Sequence, residues 1–285
     1  MQQQFPRTTV GGVSLSRMII GTNWMLGWSH TSPAADRLIK TTHSSKEAIS
    51  RLLNKFLEYG VDTVMGPISN QPIMLDAIRY TGEASGKQMI MVDTPIINVG
   101  PDAQSRKEAY ETIKQSAAIG SKLCLIHHSS VEKLVRKDTE TIERLDEYTK
   151  MIRDQGMIPG LSAHMPELVV YSDANGYDVE TYIQIYNCAG FLMQVEVESV
   201  AKIIHNAKKP VMTIKPMAAG RVTPYVGLNF VWNTIRPCDM VTAGCMTEWE
   251  EEEDVEISLA AIERRFPELG ERSSPNPHQA VFMNK

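Results

Sequence analysis

The residues best equipped for chemistry stand where apolar runs stop. Leu123-Cys124-Leu125-Ile126 leads straight into His127-His128-Ser129-Ser130. A short apolar run with polar punctuation suits a strand buried on both faces. In parallel α/β architectures the carboxyl ends of such strands collect at one rim, and ligands bind there. Other apolar runs end in the same way, so the rim is expected to gather Asn23, Asp62, Asp93, His127, His128, His164, Tyr186 and Lys215.

These residue types allow three chemistries. Asp93, one of His127 or His128 (His128 in the preferred set), and His164 come from consecutive strands, whose ends lie about 5 Å apart. Two imidazoles and a carboxylate on that arc suit a divalent metal with open positions. Without a metal, an imidazole can take a proton from beside a carbonyl while Lys215 or Tyr186 stabilises the enolate. A desolvated Lys215 can also form a Schiff base. For substrate contacts, Asn23, Trp24, Trp28, His30 and Tyr186 lie near the expected mouth. Their aromatic rings suit either stacking on a sugar ring or apolar cover over the barrel top.

The rim needs a frame. Arg7 to Ser16 carries Gly11-Gly12 between β-prone arms and reads as a hairpin. Eight strands are expected at 18–24, 61–65, 88–94, 123–126, 157–164, 178–187, 210–216 and 239–245. A long loop, holding Trp28, Ser29, His30, Pro33 and Asp36, follows the first. Capping boxes at Ser44–Glu47, Ser105–Glu108 and Thr247–Glu250 mark helix starts, and Asp138 is expected to cap another. Strands and helices alternate every ~30 residues, as βα units do. Eight units favour a closed (β/α)8 barrel, a TIM barrel, over an open sheet, and at 285 residues the chain is near that fold's usual size. One domain over 1–285 is expected, with the hairpin at 1–16 and a loosely ordered tail over 270–285.

Composition narrows the partners. The formal net charge is -5, from 29 Lys+Arg against 34 Asp+Glu, which gives no reason to expect nucleic acid or an anionic membrane. No apolar run approaches the ~18 residues of a membrane span, and the first residues lack a signal-peptide core, so a cytoplasmic protein is expected. Cys124, Cys188, Cys238 and Cys245 form no C-x-x-C pair and read as reduced thiols. The partner expected is a small molecule; the oligomeric state is open.

Over nearly its whole length the chain resembles the aldo-keto reductase superfamily, nearest to bacterial predicted oxidoreductases. The resemblance lies in the hairpin leading into Ile20-Gly21-Thr22, in Gly60-Val61-Asp62-Thr63, and in Leu125-Ile126-His127. It continues through Gly160-Leu161-Ser162-Ala163-His164, Tyr186-Asn187, Lys215-Pro216-Met217-Ala218-Ala219-Gly220-Arg221 and Val241-Thr242-Ala243-Gly244. It implies Asp62 and His127 as two of four catalytic groups. The family's tyrosine and lysine have no counterpart, because Val64 to Asn70 holds no tyrosine and Asp93-Thr94 stands where the lysine belongs. Ser162 and Tyr186 match positions that touch nicotinamide. The basic residues that hold the 2′-phosphate of NADP(H) are replaced by Glu248 to Asp254, which disfavours that cofactor. The expectation is a reductase-like barrel enzyme turned to proton transfer, such as elimination or isomerisation, on a polar carbonyl or sugar-like compound. The alternatives are an NAD(P)-dependent oxidoreductase with a relocated acid such as His128 or His164, and a non-catalytic small-molecule binder.

Overall fold

The computed structural model describes residues 3–270, so the expected tail over 270–285 lies, but for Gly270, outside the described residues. Eight parallel strands close into a barrel: β1 Met18–Gly21, β2 Thr63–Gly66, β3 Ile90–Asp93, β4 Leu123–Ile126, β5 Ile158–Ala163, β6 Tyr182–Ile185, β7 Val211–Ile214 and β8 Met240–Ala243. β8 pairs with β1, with Thr242 opposite Ile19, and this pairing closes the ring. The architecture is the (β/α)8 barrel expected from the alternation of elements.

Side-chain alternation divides each strand between two apolar environments. Ile19, Met65, Val92, Leu123, Leu125, Ile183, Met212 and Met240 pack inside the barrel. Met18, Ile20, Val64, Cys124, Ile126 and Val241 face the helical layer. Both faces are apolar, which is why the strands read as continuous runs and not as alternating ones.

The hairpin Arg7–Val10/Val13–Ser16 closes the amino-terminal end of the barrel, with Val10 and Leu15 packed on the interior cluster. Gly11 and Gly12 both have positive φ, 54° and 86°, as a two-residue hairpin turn of this type requires. A Cβ on Gly11 would stand 2.8 Å from Ile158 Cγ2. Gly11→Ala is therefore expected to cost about 1–3 kcal/mol, from left-handed strain plus overpacking. A lowered urea midpoint at unchanged slope checks this; an unchanged midpoint refutes it.

Several local expectations shift. The loop after β1 contains two helices, Asn23–Leu26 and Pro33–Thr42, the second capped by Ser32. Ser45, not Ser44, caps the helix Lys46–Glu58. Asp102, not Ser105, caps Ala103–Ala118, because its carboxylate receives both the Ser105 N–H and hydroxyl. Asp138 caps nothing: Val135–Arg136 and Thr141–Ile142 pair as a small hairpin, and the helix Leu145–Asp154 begins after a left-handed Arg144. β6 is shorter than expected, four residues. The Thr247–Glu250 capping box forms as read, opening the helix Glu248–Glu263.

Candidate active site

The carboxyl ends of the strands surround a cavity of about 680 Å³, within the usual range for small-molecule sites. Met65, Ile183 and Ile214 form part of its floor, and Trp24 and Trp28 stand in its wall. Asn23, His30, His127, His128, Ser162, His164 and Lys215 all line it.

Strand parity explains most of this. Leu123 and Leu125 face the interior, so His127, two residues further, does too. Ile158 faces the interior, so Ser162 and His164 follow. His128 begins a short helix, His128–Val131, which returns its ring to the cavity. The three rings form a cluster: His127 and His128 are tilted at 44° with centroids 4.2 Å apart, and His128 stacks on His164 at 3.7 Å and 20°.

Each ring has a distinct environment. The His127 Nδ1 accepts the backbone N–H of Ser129 at 3.3 Å and lies 2.8 Å from its hydroxyl. A backbone N–H can only donate, so the neutral ring carries its proton on Nε2 and offers it as a donor. Burial, then the neighbouring His128, pushes this imidazole down to about 4. Burial pushes His164 down to about 3, with His128 and Lys215 adding to it. His128 is also lowered by burial, but Glu132 opposes the shift, with Oε2 at 4.0 Å from Nδ1. Of the three, the middle ring is thus best placed to hold a proton. Glu132 is a positioning residue as well: its Oε1 receives the backbone N–H groups of His164 and Met165 at 2.7 and 2.8 Å. The i,i+4 spacing from His128 was the available signal for it, and the sequence reading passed over it.

Lys215 breaks parity. Ile214 faces inward, so the next residue should face the helices. A φ of 61° instead turns Lys215 back into the cavity. No salt bridge reaches it among the described residues, and burial lowers its pKa. Its Nζ lies 3.4 Å from His30 Nε2, which Asn23 Nδ2 also approaches at 3.2 Å.

Three expected site residues lie elsewhere. Asp93 follows Val92 and so faces outward, where its carboxylate accepts the Ser69 N–H at 3.1 Å and the Ser116 hydroxyl at 2.5 Å. Asp62 precedes β2, at the hairpin end of the barrel, paired with Arg7 at 2.9 Å. Tyr186 follows the inward Ile185; it is buried, packs at a tilt against Phe230 and donates its hydroxyl to Thr234 at 3.0 Å. Removing Asp93 dissolves the metal set Asp93, His128, His164, and no group of three or more potential ligands is placed to hold a metal among the described residues.

At the cavity's other end stand Glu250, Asp254 and Cys245, near the start of the helix Glu248–Glu263. Among the described residues, Lys215 is the only Lys or Arg that lines the cavity. Nearby Arg51 and Lys55 are engaged with Glu248 and Glu252. This part of the cavity lining therefore presents carboxyl groups, with the neighbouring cations already engaged. Burial pushes Glu251 up to about 10 and Asp254 up to about 8. Both are neutral acids in the folded protein near neutral pH, and both ionise on unfolding. The unfolded chain then binds fewer protons, so stability falls as pH rises from about 4.5 through 8 to 10. Glu251→Gln and Asp254→Asn should flatten the decline of Tm between pH 6 and 9; parallel curves for wild type and variants would contradict this.

No family model matches the sequence, and no curated protein matches it. Solved structures do resemble the fold. One assigned as an aldo-keto reductase from Pseudomonas aeruginosa superposes with a TM-score of 0.65 at 12% identity, covering 92% of this chain and 98% of that one. The fold is that of the aldo-keto reductases. The glycerol dehydrogenase of Gluconobacter oxydans gives 0.57 at 11% identity, covering 95% of this chain and 99% of its own. An aldo-keto reductase from Klebsiella pneumoniae, solved with NADPH, gives 0.55 at 12% identity, covering 100% of this chain and 94% of its own. Within that fold, no tyrosine lines the cavity of this chain among the described residues.

Proposed function

We propose that this aldo-keto-reductase-like barrel is an enzyme of proton transfer, performing an elimination or isomerisation on a small polar carbonyl or sugar-like compound. One observation carries the reading: three adjacent imidazoles and one lysine share the cavity, with no phenol lining it among the described residues. His127 donates from Nε2 to the substrate carbonyl. His128, supported by Glu132, removes the proton beside that carbonyl and returns it elsewhere. His164 stays neutral and holds the ring of His128 in place. Trp24, Trp28 and Asn23 line the entrance, and Ser162 and His30 supply further polar contacts. The acid-rich end of the cavity argues against NADP(H), and the outward Asp93 argues against a metal.

The test is exchange in deuterated water. Incubation with a panel of small ketones, aldehydes and ketoses should show incorporation of deuterium beside the carbonyl by NMR, without added dinucleotide. Tight binding of NADPH or NADH by fluorescence titration, with no exchange of any compound, would overturn the reading in favour of hydride transfer.

A further inference from the structure

The proton-transfer reading leaves open what stabilises the carbanion, and Lys215 supplies an answer that rests on that reading. An ordinary half-buried lysine pairs with a carboxylate; here no salt bridge reaches it among the described residues. Its surroundings are instead Asn23, His30 and the imidazole cluster. Its backbone also holds a conformation that non-glycine residues rarely adopt. The facing residue, His30, does the same, with a φ of 56° against 61° for Lys215. Further along the same loop, Ala218 and Ala219 also have positive φ, 50° and 53°. The two loops are tied together where the Thr31 hydroxyl donates to the Ala219 carbonyl at 3.2 Å. Strained, non-glycine backbone on both sides of one contact is held by its surroundings at an energetic cost, and such strain gathers at functional sites. Without the turn at 215, strand parity would bury this amine among the helices.

We propose that Lys215 is a nucleophilic amine that condenses with the carbonyl of the substrate to form an imine, with His30 as its proton partner. The Nζ lone pair forms a bond to the carbonyl carbon while the C=O π pair moves to oxygen. The nitrogen loses a proton to His30 Nε2, and the oxygen takes one from solvent, giving the carbinolamine. Proton return from the imidazolium lets the C–O bond break and release water, leaving C=N bonded to Lys215. Protonated, that iminium accepts the electron pair set free when His128 removes the neighbouring proton. Reprotonation and hydrolysis then return the free lysine. No oxidant or reductant is consumed. The ligand class is a small ketone or aldehyde with a hydrogen beside its carbonyl. The burial that lowers the Lys215 pKa leaves more of the neutral amine this step requires.

The test is reductive trapping on the full-length protein. Pyruvate, dihydroxyacetone and glycolaldehyde are each added with sodium cyanoborohydride near neutral pH, and the protein is followed by intact mass and peptide mapping. The expected result, with at least one probe, is a single adduct on Lys215. It should form at least about tenfold faster than on any other lysine, because the buried amine is more often neutral. Lys215→Arg should abolish that adduct. If this variant fails to fold, the mapping on wild-type protein still decides. Labelling spread over surface lysines, with Lys215 unmodified, overturns the proposal. Deuterium exchange without trapping at Lys215 removes the imine and leaves the imidazole mechanism standing. Trapping at Lys215 without exchange keeps the imine and removes His128 as the base.

Discussion

His128→Ala is expected to lower turnover, in whichever compound undergoes exchange, by about 10²–10⁴-fold, the usual contribution of a positioned acid–base group. The ring sits between His127 and His164, and its Nδ1 lies 4.0 Å from the carboxylate of Glu132. It is half-buried, so its loss should leave the thermal midpoint almost unmoved, which separates a chemical role from a structural one. Glu132→Gln sharpens the test. The amide oxygen can still receive the N–H groups of His164 and Met165, but the negative charge is gone. An imidazole that loses an anionic neighbour becomes harder to protonate, so the acid limb of the pH–rate profile should move to lower pH. Full turnover in His128→Ala would take this residue out of the mechanism.

Asp93→Ala is expected to be among the most destabilising single substitutions at the strand ends, yet to leave the chemistry of folded molecules intact. The carboxylate is fully buried and holds the Ser69 N–H and the Ser116 hydroxyl, joining β3 to the segment after β2 and to the helix Ala103–Ala118. Truncation leaves both donors unsatisfied away from water, at a cost of about 2–4 kcal/mol. For a chain of this size each kcal/mol lowers Tm by roughly 2–4 °C, so calorimetry should show a drop of roughly 4–16 °C. Turnover per folded molecule should stay near wild type at a temperature where the variant remains folded. A variant of normal stability but without activity would instead return Asp93 to the cavity.

The contrast between His128 and Asp93 shows where reading stops. Both are polar residues at the ends of apolar runs, and strand-end position alone treats them alike. Parity separates them: Val92 faces the interior, so Asp93 cannot, whereas Leu125 faces the interior and brings His127 with it. The same rule sends Tyr186 outward after Ile185. Parity is legible only once the inward face is known, and strands apolar on both faces conceal which face that is. Asp62 was misplaced for a different reason: it stands before its strand, at the hairpin end, not after it.

The order of elements, the hairpin turn at Gly11-Gly12, the last capping box and the gathering of histidines at one rim were all determined by sequence. They depend on short-range chemistry: which residues tolerate positive φ, which side chains cap a helix, and how apolar runs alternate with punctuation. The inward or outward aim of each polar residue, the stacking of His128 on His164, and the reversal of Lys215 were decided only by tertiary structure. Those depend on barrel closure and on loops that hold Lys215 and His30 in left-handed conformations, contacts between residues as far apart in the chain as His30 and Lys215.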